Sequence, residues 1–266
     1  MQQCWASVHG LKIRYLESGK GNKKNILFIH GLGSSADRWL DIPDALSLDF
    51  HTIALDLPGF GGSDTPATMD YTIETFRKFI VGFINEVLMN DTKTSIVGHS
   101  LGGYIAAEVT IENKQQVERL VLIDSSGMLK KPTPLLEQYL KVAMNPSKNA
   151  LKKVFEQMVA DPTRIPSKLV EGFINRINLP NAKYAFKSTL ANSANTQIGL
   201  KRLKLISDIP TMILWGIEDR VIPLEHSRLF KEAIKDSQIT IIQDAGHAPF
   251  TEKPALVCEI LRKFLA

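Results

Sequence analysis

Ser100 sits in Gly98-His99-Ser100-Leu101-Gly102-Gly103, directly after the β-forming run Thr94-Ser95-Ile96-Val97 and before the helix-forming run Tyr104 to Val109. A serine at the apex of a strand-to-helix turn needs neighbours without side chains two residues either side, where the backbone crowds against itself. Gly98 and Gly102 supply them. Such a turn lifts the hydroxyl clear of the sheet and leaves the Leu101 N–H at the positive end of the next helix, where it could hold an oxyanion. By composition alone the five-residue pattern arises in roughly one chain in ten of this length, so the flanking strand and helix signals carry the reading.

Serine is a poor nucleophile at its free pKa and needs a base within hydrogen-bond reach and an acid to orient that base. Of the six histidines, His247 stands in a loop after the strand signal Ile239 to Ile242, and ligands of open parallel sheets bind at that end of the strands. His9, His51 and His226 read as structural or exposed, and His30 as a shaper of its own loop. His99 neighbours the serine, and strand alternation predicts that it points away from the chemistry. For the acid, Asp219 follows the strand signal Thr211 to Trp215; Asp124, just after Leu120 to Ile123, is its rival, because a carboxylate there could also reach the histidine. A second oxyanion donor is expected from His30-Gly31-Leu32-Gly33-Ser34, with the Leu32 N–H the candidate. Loss of one such donor costs about 100 to 1000-fold in rate.

The elements that would position these residues are eight short strand signals, which begin at Trp5, Lys12, Ile26, Thr52, Thr94, Leu120, Thr211 and Ile239. From the third onward they are apolar runs, as strands buried on both faces of a parallel sheet require. Helical stripes alternate with them: Ile73, Phe76, Ile80, Phe83, Ile84 and Val87 behind a Thr72 N-cap, and Leu256, Val257, Ile260, Leu261 and Phe264 at the end of the chain. The rhythm breaks after Asp124. Residues 129–205 show helical stripes and no strand, which predicts a helical cap inserted into a core of residues 1–128 and 206–266. Phe155, Met158, Phe173 and Phe186 in this segment either line a substrate cavity or pack the helices together.

The 266 residues bury enough apolar surface to fold without staples. The 32 basic and 28 acidic residues give a formal charge of +4, spread along the chain with no basic block, which speaks against nucleic-acid binding. Cys4 and Cys258 lack metal-ligand spacing, and Cys258 falls on the apolar stripe of the last helix, which predicts a buried thiol. No leader or stretch of 18 apolar residues is visible, so the expectation is a cytoplasmic protein without membrane insertion.

With Ser100, Asp219 and His247 in that order, the chain resembles the α/β-hydrolase superfamily over nearly its whole length. The matching stretches are His30 to Gly33, Asp56-Leu57-Pro58-Gly59-Phe60-Gly61-Gly62-Ser63, Gly98 to Gly103, Leu214-Trp215-Gly216 to Asp219, and Gly246-His247 with Glu252-Lys253-Pro254. The resemblance implies an eight-stranded sheet with its second strand antiparallel, and a helical cap between strands six and seven. Members with aspartate at the elbow cleave haloalkanes or epoxides, so Ser100 argues for acyl chemistry on a small-molecule ester, with no metal or organic cofactor required. Carbon–carbon bond hydrolases of this group usually carry Trp after the catalytic histidine, where this chain has Ala248. That departure favours a carboxylesterase, a monoacylglycerol lipase-like enzyme or a lactonase, with a carbon–carbon bond hydrolase of ring-fission products kept as an alternative. A non-catalytic small-molecule receptor on the same fold is the alternative of another class.

Overall fold

A computed structural model of the chain describes residues 1–39, 41–88, 93–165, 167–194 and 196–266. Eight strands, β1 (Gln2–Val8), β2 (Leu11–Ser18), β3 (Asn25–Ile29), β4 (His51–Leu55), β5 (Thr94–His99), β6 (Val117–Ile123), β7 (Thr211–Gly216) and β8 (Gln238–Ile242), form one sheet in the order β1-β2-β4-β3-β5-β6-β7-β8. β2 runs antiparallel to β1 and β4, and every other pairing is parallel. The eight strands and the antiparallel second strand are those expected, each longer at one or both ends than its apolar run. Every residue of β3, β5 and β7 is buried, because helices cover both faces of the sheet.

The helices are α1 (Ile42–Leu46), α2 (Ile73–Val87), α3 (Leu101–Glu112), α4 (Pro134–Met144), α5 (Lys148–Met158), α6 (Ser167–Ile177), α7 (Ala182–Ala194), α8 (Leu200–Leu203), α9 (Glu225–Ala233), α10 (Pro249–Glu252) and α11 (Pro254–Leu265). One face of the sheet packs against α2, α3 and α9, the other against α1, α10 and α11. Thr72 caps α2 as its sequence requires, its hydroxyl accepting the Thr75 N–H at 3.1 Å. In α11 the buried residues are Val257, Leu261, Phe264 and Leu265. That places the stripe one residue later than the sequence suggests: Leu256 is 45% exposed and Cys258 only half-buried, so the expected buried thiol is corrected.

Between β6 and β7 lie α4 to α8, joined by loops and short turns with no strand among the described residues. Their mutual packing is aromatic: Tyr139 of α4 meets Phe186 of α7 edge-on with ring centroids 5.1 Å apart, and Phe155 of α5 meets Phe173 of α6 at 5.7 Å. Among the described residues no helix is long and apolar enough to cross a membrane.

Candidate active site

Ser100 joins β5 to α3 with φ 53° and ψ −117°, a conformation that costs an L-residue about 1 to 3 kcal/mol. Hydrogen bonds hold the turn: the Ser100 N–H donates to the Ile123 carbonyl at 3.0 Å, and the Ser126 N–H to the Ser100 carbonyl at 3.0 Å. A Cβ on Gly98 would stand 2.3 Å from the Gly102 carbonyl oxygen, so strand and helix do touch there. A Cβ on Gly102 would instead lie 2.2 Å from the Ile29 carbonyl oxygen, so that glycine clears β3 for the approach of α3. The Leu101 N–H opens the helix and has no intrahelical acceptor. The Leu32 N–H, in the loop after β3, donates to no described protein group.

That loop is shaped by His30, fully buried at the end of β3. Its Nδ1–H donates to the Gly31 carbonyl at 2.8 Å and its Nε2 accepts the Leu57 N–H at 3.0 Å. Burial pushes its pKa down, which suits a neutral ring with one donor and one acceptor. Asp56, buried after β4, ties three segments together: its carboxylate accepts from Ala36 N–H at 2.6 Å, Gly62 N–H at 2.8 Å and the Arg14 guanidinium at 2.9 Å. A side chain on Gly61 would collide with it at 2.1 Å.

Asp219 and His247 meet across the ends of β7 and β8. The His247 Nδ1–H donates to Asp219 Oδ2 at 2.8 Å, while Asp219 Oδ1 accepts the Val221 and Ile222 N–H groups at 2.7 and 2.9 Å. With Nδ1 carrying the proton, His247 Nε2 is left with a lone pair. Ser100 and His247 line one cavity of about 100 Å³ together with Leu32, and no hydrogen bond joins the hydroxyl to the imidazole in this geometry.

The base loop is fastened from two sides. The His247 N–H donates to the Met158 carbonyl at 2.7 Å at the end of α5, and the Glu252 carboxylate bridges the Gly246 and Ala160 N–H groups at 2.8 Å each. His99 fastens it from below. Its Nε2–H donates to the His247 carbonyl at 2.6 Å and the two rings lie 4.8 Å apart. The expectation that His99 stands away from the chemistry is therefore wrong. Its ring does face the Trp39 and Phe250 side of the sheet, as alternation requires, but the base loop comes down over that same side. Burial, and then His247, hold the His99 pKa well below the usual imidazole value.

Asp124, the rival acid, is also at the site and does a different job. It is buried at the end of β6 with φ 44°, and its Oδ1 accepts the Gly216 N–H at 2.9 Å. Its Oδ2 has no hydrogen-bond donor beside it among the described residues and faces the Asp219 carboxylate; one carboxylate oxygen each from Asp124 and Asp219 and one ring nitrogen of His247 lie within 4.8 Å of one another. Burial, and then the Asp219 charge, push its pKa well above the usual carboxylate range. A proton on Oδ2 turns the repulsive pair into a donor and an acceptor. This trio has the residue types of a metal site, but Asp219 Oδ2 and His247 Nδ1 are already bonded to each other through a proton.

Sequence reasoning passed over Arg38, Arg176 and Tyr139, which line the Ser100 cavity, since nothing local marks them. His9, His51 and His226 lie elsewhere; His51 bonds Glu17 at 2.8 Å.

A family model for the alpha/beta hydrolase fold matches residues 24–254. The chain is 29% identical to Lipase 3 of Moraxella sp., covering 91% of this chain and 78% of that protein. It is 24% identical to monoacylglycerol lipase abhd6-A of Xenopus laevis, over 100% of this chain and 82% of that protein. Among solved structures it resembles the lip1 protein of Acinetobacter baumannii AYE (27% identity, TM-score 0.88, 99% and 90% of the two chains). It also resembles the 2-hydroxy-6-oxo-6-phenylhexa-2,4-dienoate hydrolase of Rhodococcus (22% identity, TM-score 0.89, 100% and 99%), a likeness of fold.

Proposed function

The chain belongs to the α/β-hydrolase family, and from that premise we propose that it is a serine hydrolase that cleaves carboxylic esters through an acyl-enzyme. The observation that carries this reading is the pairing of His247 with Asp219 at 2.8 Å on a cavity that also holds a strained Ser100. His247 Nε2 takes the Ser100 proton as Oγ attacks the ester carbonyl, and the Leu32 and Leu101 N–H groups receive the oxyanion. The tetrahedral intermediate collapses, His247 returns the proton to the leaving alcohol, and water activated by the same nitrogen frees the acid. Asp219 keeps the proton on Nδ1 and stabilises the imidazolium. The Ser100–His247 hydrogen bond forms when substrate fills the cavity, as apo catalytic contacts are often loose.

Residues 129–205 act in this reading as a cap. Tyr139, Phe155 and Phe173 from three of its helices line the cavity, giving the acyl group an apolar wall. Turnover of 4-nitrophenyl esters by the wild type and by Ser100→Ala tests the proposal. The variant should lose about 10⁶ in kcat, leaving what the oxyanion donors and binding supply, together with stoichiometric labelling by a fluorophosphonate. An unchanged rate ends the proposal, and labelling without turnover in the wild type replaces it with a receptor.

A further inference from the structure

Arg38 and Arg176 come from different elements, one from the segment after β3 and the other from α6, and both line the Ser100 chamber. Both also line an adjoining chamber of about 390 Å³, which shares Ser34, Val159, Ile165 and Leu169 with the first. Neither guanidinium has an ion pair or hydrogen bond among the described residues, and the Arg176 Nε is buried without a partner. The nearby carboxylates are engaged elsewhere. Asp37 forms a two-pronged pair with Arg14 at 2.8 and 2.9 Å, and Glu252 holds the Gly246 and Ala160 N–H groups. Burial, against the opposing pull of Tyr139 and Glu252 and with a smaller push from Arg176, brings the Arg38 pKa down to about 10; the group stays charged at neutral pH.

Two half-buried cations without a described partner, in chambers that also hold Lys168 and whose carboxylates Asp37 and Glu252 are bonded elsewhere, form an unfavourable arrangement until an anion arrives. A planar guanidinium fork fits a carboxylate in particular. We propose that Arg38 and Arg176 form an anion subsite for the ester substrate, and that the physiological substrate carries a free carboxylate on the acyl group that Ser100 receives. The proposal rests on the serine-hydrolase reading and narrows it, because a plain fatty acyl chain leaves both charges unmatched.

The test compares two 4-nitrophenyl esters of matched length, the neutral valerate and the glutarate monoester, in the wild type, Arg38→Met, Arg176→Met and Arg176→Lys. Charge-assisted hydrogen bonds lead to a wild-type ratio of kcat/KM, glutarate over valerate, of about 10 to 100. Each methionine variant should bring that ratio toward one, with Arg176→Lys between. If a methionine variant does not fold, the wild-type ratio and competitive inhibition of valerate hydrolysis by glutarate still decide. Equal hydrolysis of the two esters by the wild type, or a ratio unmoved in the variants, overturns the subsite. Inhibition by inorganic phosphate but not by glutarate overturns the carboxylate assignment. Ser100→Ala separates the two levels: a dead variant with no glutarate preference in the wild type sinks only the subsite, and an active one sinks the serine reading.

Discussion

Replacing Asp124 by Asn should stabilise the protein progressively as pH rises. The native carboxyl is buried, gives one oxygen to Gly216 N–H at 2.9 Å, and faces Asp219 with the other, with Glu252 adding to the negative field. Its folded-state pKa therefore lies well above that of the unfolded chain, near 3.8. Between those values the native state holds a proton that the unfolded state has released, so wild-type stability falls with rising pH. The slope for one such proton is about 1.4 kcal/mol per pH unit, beginning near pH 4 and ending at the raised native value. Asparagine presents the same acceptor to Gly216 and an N–H in place of the acid proton, without titrating. The melting difference between Asp124→Asn and wild type should thus grow in the variant's favour by about 3 °C per unit, taking about 2 to 3 °C per kcal/mol for a domain of this size. Thermal unfolding of both proteins at half-unit steps from about pH 4 upward measures it, the growth starting above the unfolded value and levelling off where the native carboxyl titrates, and titrations remote from Asp124 cancel in the difference. A flat difference, or one that shrinks, refutes the neutral carboxyl. Asp124→Leu is the control for shape: it orphans the Gly216 N–H and removes the donor to Asp219, costing about 2 to 4 kcal/mol.

Asp219→Asn should leave the fold intact and lower kcat by about 10⁴, because the amide favours the wrong tautomer of His247; steady-state kinetics on a nitrophenyl ester reads this, and a loss below tenfold counts against Asp219 as the acid. Gly102→Ala drives a methyl to within 2.2 Å of the Ile29 carbonyl oxygen and 2.7 Å of that of His30, both backbone, so urea unfolding should register a loss above about 4 kcal/mol. Glu252→Ala orphans the Gly246 and Ala160 N–H groups, about 1 to 3 kcal/mol each. Its kcat should fall with its stability, since the loop it releases carries His247; a stable variant with wild-type kcat contradicts that coupling.

The sheet was legible because its information is local. Ile26 to Ile29 and Thr211 to Trp215 are short apolar runs whatever surrounds them, and burial on both faces follows from their composition. The glycines around Ser100 were legible too, since a crowded turn restricts residue type at fixed offsets. Gly102 shows where local reading stops: its constraint comes from the Ile29 and His30 carbonyls, more than 70 positions earlier, and the five-residue pattern cannot say so. His99 shows the same limit from another side. Alternation fixed the face of β5 it occupies but could not show that a loop 148 residues later descends onto that face.

Asp124 and Arg38 were the least legible, for a reason that lies in electrostatics rather than in packing. What each does is set by the charge next to it, and neither neighbour is near in sequence. Asp124 stands in the sequence as the rival to Asp219; the fold sets the two side by side, where burial and the Asp219 charge push the Asp124 carboxyl upward, while Asp219 is bonded to His247 and to two backbone N–H groups. Arg38 lies beside Asp37 in the chain, which suggests a solvated pair; the fold gives Asp37 to Arg14 and turns Arg38 into the cavity with Arg176. The same electrostatics thus acts at both ends of the site: a carboxyl beside a carboxylate is pushed toward its protonated form, and two guanidinium groups, unable to shed a proton at neutral pH, are what the proposed anion subsite rests on.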